Sequence, residues 1–262
     1  MNVPLLKIDN ISIRFGGLTA VSDFSLSMED DSLFGLIGPN GAGKTTIFNM
    51  LTGVYVPTSG SIHFNGEDIT GVKPYNITQK SIARTFQNIR LMKKLTVLEN
   101  VKISFVYQTK YSLATSFLRL PSFFKEEEEV DKEALELLRI FHLEEKKNEL
   151  AMNLPYGEQR RLEIARALAA KPKLLLLDEP AAGMNPNETA ELTELIRWIR
   201  KEFHIAILLI EHDMRLVMGV CEHILVLDYG KIIAEGGPEE IKTNKKVIEA
   251  YLGEEAAHAA EN

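Results

Sequence analysis

The 262-residue chain has one cysteine, Cys221, so no intrachain disulfide can form. Cys221 reads as a small core residue. Long apolar runs are missing too. Stretches such as Ile205 to Ile210 and Leu174 to Leu177 fall far short of the roughly 20 residues that a membrane span needs. The N-terminus, Met1 to Asp9, lacks the apolar stretch and cleavage site of a signal peptide, so the chain reads as cytoplasmic. Positive charge is in deficit. Lysine and arginine total 30 against 37 acidic residues, for a net charge of −7. This excludes a bulk cationic grip on nucleic acid or on an anionic membrane. Internal repeats and long heptads are absent.

What is present is the composition of a folded protein, 45% hydrophobic and 26% charged. At about 150 residues per domain, the length corresponds to one large domain or two lobes. Residues 5 to 28 read as short strands with a turn at Phe15-Gly16-Gly17. Ser61 to Phe64 followed by Asn65-Gly66 reads as a hairpin. Leu33 to Ile37 is a buried strand, followed by a glycine-rich loop and a helix over Thr45 to Leu51. From about Leu91 to Ala170 the pattern is helical, with apolar spacing at Ala134, Leu135, Leu137, Leu138 and Phe141. Glu126 to Glu129 reads as a solvated face. The apolar stretch Leu113 to Phe124 reads either as a partner contact or as local packing. Strands then alternate with helices: Lys173 to Asp178, Ile205 to Glu211 and Ile224 to Leu227 as strands, Asn187 to Phe203 and Met214 to Val220 as helices. That alternation implies a parallel sheet. Gly230 to Gly237 reads as turn-rich, Pro238 to Leu252 as a final helix, and Glu254 to Asn262 as a frayed tail.

Gly38-Pro39-Asn40-Gly41-Ala42-Gly43-Lys44-Thr45 fits G-x-x-x-x-G-K-[ST] at every fixed position, between a buried strand and a helix. Backbone N–H groups of such a loop cradle phosphates, and the helix start adds a positive dipole end. Lys44 supplies a cation to the β- and γ-phosphates, and Thr45 a hydroxyl to Mg²⁺. The second signal is Leu174-Leu175-Leu176-Leu177-Asp178-Glu179. Two carboxylates emerge at the C-terminal end of a buried strand, where ligands of parallel sheets bind. Asp178 suits Mg²⁺, and Glu179 suits the water that attacks the γ-phosphate. Asp178 lies 134 positions after Lys44, farther than in small GTPases and nucleoside kinases. A guanine-reading Asn-Lys-x-Asp is absent, since Asn244-Lys245 is followed by Lys246-Val247. ATP is therefore favoured.

Together these residues resemble the nucleotide-binding subunit of ATP-binding-cassette (ABC) transporters. The resemblance implies an α/β fold: a RecA-like P-loop NTPase core, an N-terminal antiparallel β-sheet and an α-helical subdomain. It spans residues 5–253 as one ATPase domain, with the core at 5–90 and 166–253 and the helical part at about 91–165. It assigns Gly38 to Thr46 (with Pro39, Asn40, Gly41, Ala42, Gly43, Lys44, Thr45) to ATP. Phe15, 23 positions before Gly38, would stack on adenine. Gln87, in Ala83-Arg84-Thr85-Phe86-Gln87-Asn88, matches the glutamine that touches Mg²⁺ beside Thr45 and Asp178 and senses the membrane subunit. His212, 33 positions after Glu179, matches the switch histidine, giving Glu179, His212 and Lys44 as catalytic residues. Leu154-Pro155-Tyr156-Gly157-Glu158 stands where the family has Leu-Ser-Gly-Gly-Gln, the segment that meets the partner's ATP. Pro155 brings neither hydroxyl nor N–H to that role. Asn185 stands at the aspartate of the D-loop.

These departures, with Arg160-Arg161-Leu162-Glu163-Ile164-Ala165-Arg166 and Ile210-Glu211-His212-Asp213-Met214, look like an ATPase subunit of branched-chain amino acid importers. Urea importers, lipopolysaccharide exporters and non-transport cassettes stay as alternatives; the export type usually keeps Ser-Gly-Gly. The resemblance implies ATP and Mg²⁺ as ligands and a second ATPase subunit, identical or sister, as partner. It also implies integral membrane permease subunits, and a substrate-binding protein only indirectly. No nucleic acid is implied. The place implied is peripheral, on the cytoplasmic face of the membrane.

Overall fold

The computed structural model describes residues 3–107 and 121–251. The chain divides into two compact units, Met1–Arg84 with Lys173–Asn262, and Thr85–Pro172.

The first unit holds two sheets. The first three strands are β1 (Leu6–Phe15), β2 (Leu18–Met28) and β3 (Leu33–Ile37). They are followed by β4 (Ser59–Phe64), β5 (Glu67–Asp68) and β6 (Ile82–Arg84). An antiparallel sheet runs in the order β2-β1-β4-β5, with Leu6 opposite both Met28 and Phe64. Leu6, Ile8, Ile11 and Ile13 all face its core. Strict alternation would turn Ile8 and Ile11 to opposite faces. The register shifts between them, and Asn10 there adopts φ 47, so a local bulge returns both to the core. The β4–β5 turn is the expected Asn65-Gly66 pair, with both φ angles positive.

The second sheet adds β7 (Leu174–Asp178), β8 (Ala206–Ile210), β9 (His223–Asp228) and β10 (Lys231–Gly236). Its order is β10-β9-β3-β8-β7-β6. All pairs are parallel except β9–β10. Every residue of β7 and β8 is buried, as a sheet covered on both faces requires. One core joins the two sheets through Phe24, Leu36, Phe48, Leu176 and Leu208. The unit's helices are α1 (Lys44–Leu51), α2 (Pro74–Gln79), α6 (Pro186–Phe203), α7 (Met214–Val220) and α8 (Pro238–Thr243).

Two expectations are corrected here. Gly230 to Gly237 is not a turn segment: Lys231–Gly236 is an antiparallel edge strand, and only Tyr229-Gly230 turns. Nor is Pro238 to Leu252 one helix. Asn244 takes ψ 118 after α8, and its Oδ1 accepts from Lys246 N at 3.0 Å, opening a separate helical stretch over 245–251. The tail beyond 251 lies outside the described residues.

The second unit is helical: α3 (Val97–Lys102), α4 (Pro121–Ile140) and α5 (Tyr156–Ala169). Thr96 and Glu99 form a capping box on α3. Ala134, Leu137, Leu138 and Phe141 are buried at the expected helical spacing, as are Val97 and Val101 of α3 and Leu162 and Ile164 of α5, helices that pack against α4. Glu127 and Glu128, in the acidic run, pair with Lys102 and Lys132 on the surface. Of the Leu113 to Phe124 stretch, residues 113–120 lie outside the described residues.

Candidate active site

The phosphate loop follows β3, which pairs in parallel with β9 on one side and β8 on the other. Gly38 has φ 144, and a Cβ there would lie 2.0 Å from Leu227 O on β9. Only glycine fits this close approach. The loop is held from outside by the β9–β10 turn. Gly230 N donates to Ala42 O at 2.9 Å, and Ser22 N on β2 donates to Gly230 O at 2.8 Å. Both sheets thus fix the loop through one turn residue. Lys44 is buried, and its Nζ donates to Pro39 O at 2.8 Å and to Gly38 O, so the cation sits against the loop's own carbonyls. Thr45 is exposed and Thr46 half-buried at the start of α1.

Phe15 ends β1 with its ring 5.1 Å from that of Tyr55, edge to face, and stays 44% exposed. Tyr55 N donates to Asn49 O of α1, so this aromatic pair is anchored to the helix that the phosphate loop opens. An exposed, anchored ring is suited to stacking.

Asp178 ends β7, almost wholly buried. Its Oδ2 accepts from Arg84 at 2.8 Å, and Arg84 also donates to Asn49 Oδ1 at 2.8 Å. Glu179 follows with φ 47, a strained conformation for a non-glycine residue before proline. Its N–H donates to Ile210 O on β8 at 2.9 Å. His212 is exposed, with Nδ1 3.8 Å from Glu179 Oε2 and 3.7 Å from Glu211 Oε2. The first unit therefore gathers the acid pair and the histidine at the ends of adjacent strands. Thr45 and Asp178 offer hard oxygen donors of the kind Mg²⁺ takes. Among the described residues there is no group of three His, Cys, Asp or Glu that could hold a metal ion.

Asn185 caps α6. Its Oδ1 accepts from Asn187 N at 2.9 Å and Glu188 N at 3.1 Å, so this oxygen is already engaged within the chain.

In the second unit, Pro155 is the N-cap of α5, with no side-chain cap. Pro155 and Tyr156 are exposed, Leu154 is buried, and Gly157 and Glu158 lie between. Glu158 pairs with Lys146 at 2.6 Å. Arg160 is fully buried. It donates to Phe86 O at 2.6 Å, Gln87 O at 2.7 Å, Glu163 Oε2 at 2.8 Å and Tyr156 Oη at 3.3 Å. Glu163 Oε1 accepts from Arg90 N at 3.0 Å. The Arg160–Glu163 pair thus fastens the backbone around Gln87 to α5. Sequence reasoning assigned no role to Arg84, Arg160, Glu163 or Glu211, all charged side chains that only the fold shows to be buried or paired.

Residues 21–182 match the family described as ABC transporter. Residues 231–257 match that described as branched-chain amino acid ATP-binding cassette transporter. The chain is 45% identical to the high-affinity branched-chain amino acid transport ATP-binding protein of Pseudomonas aeruginosa, over 97% of this chain and all of that one. It is 47% identical to a high-affinity branched-chain amino acid transport ATP-binding protein of Salmonella typhimurium, with the same coverage. The lipopolysaccharide export ATP-binding protein of Haemophilus influenzae is 35% identical over 97% of this chain and 99% of its own. A crystal structure of the ADP conformation of an ATP-binding cassette of an ABC transporter superposes with a TM-score of 0.83. It is 32% identical and covers 96% of this chain and 100% of its own. With this loop, this acid pair and these relatives, the chain belongs to the ABC transporter family as an ATP-binding cassette with ATPase function.

Proposed function

We propose that this chain hydrolyses ATP to power an importer of branched-chain amino acids. The observation that carries the cargo class is the 45–47% identity, along nearly the whole chain, to curated ATP-binding proteins of that transport system. The lipopolysaccharide-export relative is more distant, and the Pro155-Tyr156 sequence departs from the Ser-Gly usual there.

In this reading the loop from Gly38 to Thr46 holds the phosphates, and Lys44 exchanges its carbonyl partners for β- and γ-phosphate oxygens. Phe15 stacks on adenine. Thr45 and Asp178, with Gln87 by family likeness, hold Mg²⁺, which when bound neutralises phosphate charge. Glu179 orients a water and takes its proton as the water oxygen bonds to the γ-phosphorus. The bond to the β–γ bridging oxygen breaks, leaving ADP and phosphate. His212 steadies the γ-phosphate. A second ATPase subunit, identical or sister, presents its Leu154 to Glu158 segment to this ATP, and closure and reopening of the pair drive the permease. The chain sits peripherally on the cytoplasmic face; no helix among the described residues is long and apolar enough to cross a membrane.

Purification from native membranes, followed by reconstitution of the co-purifying proteins, tests the reading. ATP-dependent uptake of leucine, isoleucine or valine is expected. Uptake of urea alone, extraction of lipopolysaccharide, or purification without any membrane protein would overturn it.

A further inference from the structure

Glu211 has no place in the mechanism above, yet its side chain is wholly buried beside the acid pair. It directly follows Ile210, the last residue of β8. Its Oε1 accepts from Ala181 N at 2.7 Å. Its Oε2 accepts from His212 N at 3.0 Å and from Asp213 N at 3.3 Å. Burial pushes this carboxyl up from its ordinary range, and the three N–H donors oppose that shift.

We propose that Glu211 is a positioning residue that locks the turn after Glu179 to the strand end that carries His212. Two independent backbone segments depend on it. Ala181 lies two residues beyond Glu179, and Met184 N returns to Ala181 O at 3.0 Å, so this anchor sets where the loop to Asn185 begins. On the other side, the peptide planes of His212 and Asp213 are fixed, and Asp213 then caps α7 through Arg215 N at 2.8 Å. The strained Glu179 backbone is held from the same strand end through Ile210 O. The two side chains proposed to face the γ-phosphate are therefore registered to each other by one buried carboxylate. A carboxylate has the acceptors for three donors on two sides. An amide of the same shape has one acceptor oxygen and turns N–H groups toward N–H groups on the other side.

This inference rests on the roles proposed for Glu179 and His212. The test uses the full chain with Mg-ATP and compares wild type, Glu211→Gln, His212→Ala, the double variant, and Glu179→Gln. Nucleotide stoichiometry is measured beside hydrolysis. Glu211→Gln is expected to lower kcat per ATP-binding molecule about 10- to 100-fold, as a small misplacement of reacting groups does. KM should stay within about threefold, because the phosphate loop is untouched. The double variant should lose less than the product of the two single losses, since Glu211 acts in part through His212. A wild-type kcat, a loss confined to KM or to stoichiometry, or additive losses would overturn the proposal. If Glu211→Gln does not fold, Glu211→Asp replaces it. Its shorter arm cannot span both sides, so kcat per ATP-binding molecule should fall, and an unchanged value would overturn the proposal. Retained hydrolysis in Glu179→Gln would instead overturn the underlying mechanism.

Discussion

Arg84 and Asp178 form a buried ion pair at 2.8 Å, with side chains only 6% and 3% exposed. The guanidinium also reaches Asn49 Oδ1 at 2.8 Å and Thr52 Oγ1 at 3.2 Å, and lies 5.4 Å from the centre of the Phe48 ring. One arginine on the edge strand β6 thereby joins the helix after the phosphate loop to the carboxylate proposed to hold Mg²⁺. Removing one partner of such a pair leaves the other charged and poorly solvated, at a cost of about 3–5 kcal/mol. Arg84→Met is expected to lower the stability of the first unit by about that amount in urea unfolding. Arg84→Lys should fall between, because an ammonium cannot reproduce the planar fork. A shift below about 1 kcal/mol in Arg84→Met would contradict the tethering role.

Gly38 and Gly41 make a paired test of the loop. A Cβ on Gly38 would sit 2.0 Å from Leu227 O, whereas one on Gly41 meets nothing within 4 Å. Gly41 has φ 76, so alanine there carries only the left-handed backbone penalty of about 1–2 kcal/mol. Gly38→Ala should be clearly more destabilising and should abolish ATP binding. Thermal melts and nucleotide titration distinguish the two, and equal effects would contradict the close approach to β9.

Phe15 offers an exposed ring held by Tyr55. Loss of a stacking contact worth about 0.5–1.5 kcal/mol should weaken ATP binding roughly 2- to 12-fold in Phe15→Ala. Phe15→Trp should keep the affinity. Titration calorimetry with ATP checks both, and an unchanged affinity in Phe15→Ala would remove Phe15 from the adenine site.

The strand–loop–helix unit at 33–51 was legible in the sequence because everything that defines it is local: four apolar residues around Gly35, a loop of fixed glycine spacing, then Ile47, Phe48, Met50 and Leu51 at helical spacing. The same holds for the run of leucines before Asp178-Glu179. The strand at Lys231–Gly236 was not legible. Gly230 precedes it, Gly236 ends it and Gly237 follows, residues that read as turn markers, and its identity comes from pairing with β9. The three-residue β6 was likewise hidden inside the stretch leading to Gln87 and exists through its parallel partner β7. The break at Asn244 was hidden because apolar residues continue on both sides of it. Arg84, Arg160, Glu163 and Glu211 escaped for one shared reason. Charged residues are ordinarily solvated, and only tertiary structure supplies the partners that make their burial tolerable.

The central claim is that this chain hydrolyses ATP with Glu179 as the group that takes the proton of the attacking water. Glu179→Gln keeps the size and loses the basicity, so the most direct measurement is ATP turnover and ATP binding by this variant beside wild type. Hydrolysis is expected to fall by at least about 100-fold, within the range that general-base catalysis contributes, with ATP binding retained. Near-normal hydrolysis by Glu179→Gln would contradict the claim.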